Sequence, residues 1–279
     1  MSLIVKQKVS YFDLIKRYVL NKISYVIFKF YERYYNNNVF SYEFKGDYLS
    51  PDALENAESY INEGDAIEFY KKEMNYSDML KLSQYYPYLK IEQDKKDDLN
   101  LKIVNIGCFY AGCDNLFIER NPSCQVYGLD FGNLEKYNDN LKNKNLHLIS
   151  GYPLMTLESF IEKNSNIQFD YTIFVRTAVK INIEQLYRYM RALTKISENI
   201  IFLEPAKLQS SHLPSIDVDK IDIDNPFKLY RGMYLHNYSR LLENYGYQIV
   251  EKKVMSQDNF NNSLTKDHDF VYFHGAKTI

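Results

Sequence analysis

The residues best suited to chemistry lie between Lys102 and Asp130, in KIVNIGCFYAGCDNLFIERNPSCQVYGLD. An apolar run (Ile103, Val104, Ile106) enters a turn holding Gly107 and Gly112. A helical segment follows, and a second short run from Gln125 to Leu129 ends on Asp130. A glycine after a strand lets the backbone approach a ligand where a side chain would collide, and an acid closing the next strand can accept both hydroxyls of a ribose. Strand, glycine turn, helix, strand, acid is the order by which doubly wound α/β folds hold an adenosine-containing ligand. The plainer alternatives are an ordinary turn glycine at 107 and a helix-capping carboxylate at 130.

Elements that would position these residues follow from periodicity. Short apolar runs predict buried parallel strands near Ile103–Ile106, Gln125–Leu129, Leu146–Ile149, Tyr171–Val175 and Asn199–Leu203. Helical stretches separate them at Asp114–Glu119, Leu134–Leu141, Met155–Glu162 and Ile183–Ile196. This alternation predicts a parallel sheet covered on both faces. A last helix, Asn237–Tyr245, ends on Gly246, and two closing strands, Tyr247–Met255 and Asp269–His274, read as a β-hairpin. The irregular stretch after Pro205, with Pro214, Pro226 and four aspartates from Asp217 to Asp224, reads as a lid-like insertion over residues 206–235.

Upstream, the pattern is helical. Val9, Phe12, Ile15, Val19, Ile23, Val26, Ile27 and Phe30 recur at steps of three and four, and residues 1–35 hold seven Lys/Arg against two Asp/Glu. Such a basic amphipathic helix packs on the core, pairs with a second copy, or lies on an anionic membrane surface. Ser50-Pro51-Asp52 opens a helix to about Ile61, and further helices are expected over Ala66–Met74 and Ser77–Tyr86, stopped by Pro87. The charged stretch Gln93–Asn100 reads as a linker. The domain reading is a helical N-terminal region, 1–98, followed by a Rossmann-like domain, 99–279.

Composition sets the outer bounds. The chain of 279 residues carries a formal charge of -2, which argues against nucleic acid as a partner. Its 27 tyrosines without a tryptophan fit either codon bias or an aromatic pocket that stacks on a sugar or ring. The three cysteines, Cys108, Cys113 and Cys124, lack disulfide or zinc spacing and read as reduced thiols of a cytoplasmic protein. No metal site is expected, since the Asp217–Asp224 series lacks the glycine of a calcium loop. No apolar run is long enough to span a bilayer.

Five βα units, a helix and a terminal hairpin resemble the class I S-adenosylmethionine-dependent methyltransferases. The likeness covers about Lys102 to Ala276 and is carried by VNIGCFYAG, VYGLD, FDYTIFVR, NIIFLEP and LHNYSRLLENYGYQIV, in that order. The resemblance implies an α/β fold: a doubly wound seven-stranded, mostly parallel sheet with a terminal antiparallel hairpin, preceded here by the helical N-terminal appendage. It implies S-adenosylmethionine as cofactor, held by Asn105, Gly107, Cys108, Tyr110, Asp130, Phe131, Gly151, Tyr152 and Arg176. The free N-H groups of the glycine turn would favour the carboxylate of the cofactor's amino acid end. Phe131 would lie against adenine or pack in the core, and Tyr152 stands near where the family commonly has an acid contacting the adenine amine.

Two positions depart from the family's pattern. Asn105 replaces an acid two residues before the first glycine, and Phe109 replaces a second glycine two residues after it. Asn105 can accept from an ammonium without supplying charge, and Phe109 narrows the cradle so that backbone atoms of Cys108 and Tyr110 would do the binding.

Methyl transfer to oxygen also needs a proton removed, for which histidine is well tuned. His236, just before the closing helix, is the first candidate base, with helix capping as its alternative. Glu204, ending the fifth strand, is the second, and Arg176 would hold the acceptor or the cofactor carboxylate. His147 reads as structural and His212 as part of the lid. The expected activity is O-methylation of a small-molecule acceptor, a sugar or glycan precursor. The alternatives are a catalytically silent methyltransferase-like scaffold and an NAD-dependent Rossmann oxidoreductase.

Overall fold

Strands that are apolar on both faces must be covered on both, and that requirement organises this chain. The computed structural model describes residues 83–94, 100–108, 111–130, 143–151, 153–164, 166–205, 218–224, 226–228, 234–255 and 270–278. The strands are β1 (Lys102–Ile106), β2 (Gln125–Asp130), β3 (Leu146–Ser150), β4 (Phe169–Val175), β5 (Ser197–Pro205), a short pair β6 (Phe227–Lys228) and β7 (Tyr234–Leu235), then β8 (Tyr247–Met255) and β9 (Phe270–Lys277). The helices are α1 (Tyr86–Asp94), α2 (Gly112–Arg120), α3 (Pro153–Lys163), α4 (Ile183–Leu193) and α5 (Tyr238–Asn244).

Seven strands form one sheet in the order β3-β2-β1-β4-β5-β9-β8. β1 to β5 are parallel, and β9 lies between β5 and β8, antiparallel to both. The chain runs outward from β1 through β2 to β3, then returns to β4 on the other side of β1. The sheet therefore has its switch point between β1 and β4, where doubly wound folds open a crevice at the carboxyl ends of the strands.

Side-chain alternation splits the core into two layers. Ile103, Ile173, Ile201 and Tyr272 face α1 and α2, with Phe117 and Ile118 of α2. Val104, Phe174, Phe202 and Phe273 face α3, α4 and α5, where Leu157, Leu186, Met190, Leu193 and Leu241 meet them. Asn182 caps α4 by accepting from the Gln185 N-H at 2.9 Å. Asn237 caps α5, accepting from Arg240 N-H at 3.0 Å, while its amide donates to the carbonyls of Asp219 and Ile221 at 2.9 Å each. One asparagine thus seats α5 and ties it to the described end of the 206–235 segment.

The N-terminal boundary differs from the sequence expectation. Pro87 does not stop a helix: a 3₁₀ turn, Ser83–Tyr85, leads into α1, which runs through Pro87. Proline is tolerated in a first helical turn, where its missing N-H would have no partner. Gln93 and Asp94, expected in a linker, are the last residues of α1. This helix belongs to the covering layer of the sheet: Tyr85, Tyr88 and Ile91 are fully buried, and Tyr88 stacks on Phe117 at 4.6 Å. Glu92 accepts from Arg120 at 2.9 Å and from Asn121 at 2.8 Å, joining α1 to the end of α2.

The earlier helices, the basic segment 1–35 and the helix expected over Leu134–Leu141 lie outside the described residues, as does most of the lid. Among the described residues no helix is long and apolar enough to cross a membrane. Cys108, Cys113 and Cys124 are buried and form no disulfide among the described residues.

Candidate active site

The carboxyl ends of the five parallel strands bring together most of the residues singled out by sequence. Gly107 follows β1, Asp130 ends β2, Gly151 follows β3, Arg176 follows β4 and Glu204 lies near the end of β5. Tyr110, Phe131, Tyr152, Phe109 and His212 lie outside the described residues.

At the switch point the turns after β1 and β4 touch. Gly107 has φ +79°, and its N-H donates to the Leu129 carbonyl at 2.8 Å. A Cβ at 107 would stand 2.1 Å from Thr177 Oγ1, so glycine is required by conformation and by contact. Cys108 N-H donates to the same carbonyl at 3.3 Å, and the Cys108 carbonyl accepts from Ala111 N-H at 2.9 Å. Burial, then the charges of Asp114 and Asp130, hold the Cys108 thiol well above its ordinary pKa. It is a neutral, enclosed thiol, the opposite of the exposed thiolate a nucleophile needs.

Beneath this turn is a polar network that sequence reading missed. Asp114, on α2, is almost fully buried. Its Oδ1 accepts from Asn105 Nδ2 at 2.9 Å and from the Tyr88 hydroxyl at 2.8 Å. Burial pushes the Asp114 carboxyl up to about 6, against the pull of those two hydrogen bonds. Asn105 is itself buried, and its Oδ1 has no hydrogen-bond partner among the described residues. A signal was present: Asp114 falls on the same helical stripe as Phe117 and Ile118, and an acid on an apolar stripe needs a buried partner.

Across the sheet edge, Asp130 is half-buried and pairs in register with Ser150. Its carbonyl accepts from Gly151 N-H at 3.1 Å, and Gly151 turns the chain at φ +136°. Arg176 adopts φ +54°, an uncommon conformation for a long side chain, with its N-H on the Leu203 carbonyl at 3.0 Å. Lys180 also belongs to this edge and was not foreseen. It is exposed, yet burial by surrounding protein lowers its pKa, as does Arg176, against the opposing pull of Asp130 and Glu204.

Glu204 and His236 converge on one short turn from opposite polarities. The 3₁₀ turn Ala178–Lys180 follows Thr177 at the exit of β4. Glu204, fully buried, accepts from the N-H groups of Thr177 at 3.1 Å, Ala178 at 2.8 Å and Val179 at 3.4 Å. Burial pushes its carboxyl up to about 7, while the three N-H groups and Arg176 pull down. His236, 1% exposed, donates from Nε2 to the carbonyls of Ile181 at 2.9 Å and Ala178 at 3.2 Å. That tautomer leaves Nδ1 a buried acceptor without a partner among the described residues. Both candidate bases are thus turned onto the backbone of the β4 exit.

Burial lowers the His236 pKa to about 4. A depressed folded pKa stabilises fully above the ordinary value near 6.5 and loses that contribution as pH falls through 4. His236→Gln keeps a donor for the two carbonyls and cannot titrate. The stability advantage of the wild type over this variant is expected to shrink by about 2–3 kcal/mol between pH 7 and pH 4. Urea unfolding at both pH values measures it, and a constant difference would refute the assignment.

His147 stacks on Tyr127 at 4.5 Å within the sheet face. Among the described residues no group of three His, Cys, Asp or Glu side chains is placed to hold a metal ion.

No protein-family model matches the sequence, and no curated protein matches it. Solved structures do share the fold. The magnesium protoporphyrin IX methyltransferase of Synechocystis PCC 6803, with bound SAH, matches at 12% identity and TM-score 0.51, over 83% of this chain and 97% of that one. The N-methyltransferase NodS of Bradyrhizobium japonicum WM9, in complex with S-adenosyl-L-homocysteine, matches at 9% identity and TM-score 0.52, over 81% and 98%. The [4+2]-cyclase SpnF matches at 9% identity and TM-score 0.50, over 70% and 81%. Strand order, the single opposed strand β9 and these neighbours together give this chain the fold of the class I S-adenosylmethionine-dependent methyltransferases.

Proposed function

We propose that this protein transfers a methyl group from S-adenosylmethionine to a small-molecule acceptor, a hydroxyl of a sugar or glycan precursor. The observation that carries the reading is the β1–β4 switch point, with the Gly107 turn on one side and the half-buried Asp130 carboxylate beside it. The residues present fit the cofactor. Asp130 suits the ribose hydroxyls, and the Asn105 Oδ1, without a partner among the described residues, suits an ammonium. The cofactor, when bound, supplies a methyl group on a sulfonium centre.

The chain's own contribution is alignment, since an in-line displacement gains most from holding its two partners in register. Thr177, fixed between Glu204 and the Val175 carbonyl, presses on Gly107 and sets the floor of the crevice. Arg176 and Lys180 lie in and beside the clamped turn after β4, and in this reading they would meet the acceptor. Because His236 and Glu204 are held by backbone groups, Lys180, in the same turn after β4, joins them as a candidate for managing the acceptor's proton. The sugar reading rests on the aromatic residues of the sequence 206–235 and the basic character of residues 1–35.

Calorimetric titration with S-adenosylhomocysteine, S-adenosylmethionine and NAD tests the reading. Binding of the first two alone is the expected result. Binding of none would favour the silent scaffold, and binding of NAD alone the oxidoreductase. Fold does not decide among them, since the [4+2]-cyclase has the same architecture.

A further inference from the structure

β1 carries Asn105, and no acid, two residues before the Gly107 turn. We infer that Asp114 of α2 supplies negative charge here through Asn105, whose Oδ1 accepts from the ammonium of an S-adenosyl ligand. The inference rests on the cofactor reading and assigns a specificity role to residues of α1 and α2.

The geometry is directional. Asn105 Nδ2 donates to Asp114 Oδ1 at 2.9 Å, so the amide is oriented with its oxygen turned away from the carboxylate. Tyr88 donates to the same Oδ1 at 2.8 Å and fixes the carboxylate from the α1 side. An amide donating to a carboxylate has a more negative oxygen, because hydrogen bonds in a chain polarise one another. That oxygen is buried and has no partner among the described residues. A buried acceptor without a partner is costly, and a cationic donor is the group that best offsets the cost. Of the other titratable groups around Asp114, Cys108, Cys113 and Tyr88 are held neutral by burial, and Asp130 adds a second negative charge that raises the Asp114 pKa.

Asp114 is a positioning residue in this scheme, so the test must separate charge from packing. Calorimetry at pH 8, where a carboxyl of pKa about 6 is ionised, compares S-adenosylhomocysteine with 5′-S-(3-carboxypropyl)-5′-thioadenosine, the analogue lacking only the amino group. Asp114→Asn is nearly isosteric and keeps an acceptor for Tyr88. It should weaken S-adenosylhomocysteine about tenfold to a hundredfold and leave the desamino analogue within about twofold, as loss of one charge-assisted contact predicts. The exchange variant, Asn105→Asp with Asp114→Asn, returns the charge to β1 and should restore the preference for the amino ligand.

Equal weakening of both ligands by Asp114→Asn would assign Asp114 to packing alone and overturn the inference. Unchanged binding of both would overturn it too. A wild-type protein that binds neither ligand would overturn the cofactor reading, and the inference with it.

Discussion

Replacing Glu204 with alanine is expected to lower the unfolding free energy by about 3–5 kcal/mol, because it strands the buried N-H groups of Thr177, Ala178 and Val179, each costing about 1–3 kcal/mol. The third bond, at 3.4 Å, contributes least, which keeps the total below three full penalties. Urea denaturation measures the loss. The effect of pH has its own sign. Burial raises the Glu204 carboxyl to about 7, above the ordinary 4.5. A raised folded pKa stabilises fully below 4.5, and the contribution is lost as pH rises through 7. The shift corresponds to about 3 kcal/mol. Glu204→Gln cannot ionise, so it should gain on the wild type between pH 5 and pH 8. An equal deficit at both pH values would mean that the backbone N-H groups outweigh burial and hold the carboxylate ionised.

Gly107→Ala is expected to be comparably severe, at about 2–5 kcal/mol, combining about 1–2 for a left-handed alanine with about 1–3 for overpacking. Thr177 cannot yield easily, since its N-H is held by Glu204 and its hydroxyl donates to the Val175 carbonyl at 3.0 Å. Affinity for S-adenosylhomocysteine should fall more than about tenfold, because a 1 Å displacement of a positioning element costs that much or more. Adding Thr177→Gly removes the three atoms nearest the new Cβ and should recover part of the stability, with a coupling of about 0.5–3 kcal/mol. Gly107→Ala with wild-type stability would show that the two turns do not press together.

Much of the sheet was legible because its signals are local. A buried parallel strand is a short apolar run, and the runs at Ile103–Ile106 and Gln125–Leu129 fall within a residue or so of β1 and β2. β8 has the bounds expected from alternation, Tyr247–Met255, since a half-exposed edge strand keeps a clean pattern. Gly107 could be placed because a turn after β1 at a switch point has one usual purpose. Pro87 misled because the same residue ends one helix and opens another, and only the neighbouring fold decides which.

Side-chain aim was not legible. Glu204 and His236 both sit at the mouth of the sheet, as expected, but whether a carboxylate at a strand end looks outward or sideways depends on where the next loop passes. Here the loop after β4 passes directly beside it, and residues from β5 and from the start of α5 grip that loop. The partners of Asp114 were hidden for the same reason: its place on an apolar stripe marks a buried acid, but not that Asn105 of β1 and Tyr88 of α1 meet it.

The placement of β9 also bears on the order in which the protein can be assembled during synthesis. β8 leaves the ribosome before β9, yet β9 must lie between β5 and β8. Until it arrives, β5 presents an open edge, and β8, which exposes Val250 and Val254, has no strand to join. The nascent chain therefore passes through a stage in which the half of the sheet that bears the glycine turn can form, while the far edge is a template for unwanted pairing with other chains. Closing that gap is the final act of sheet formation, and any delay between β8 and β9 lengthens the interval of risk.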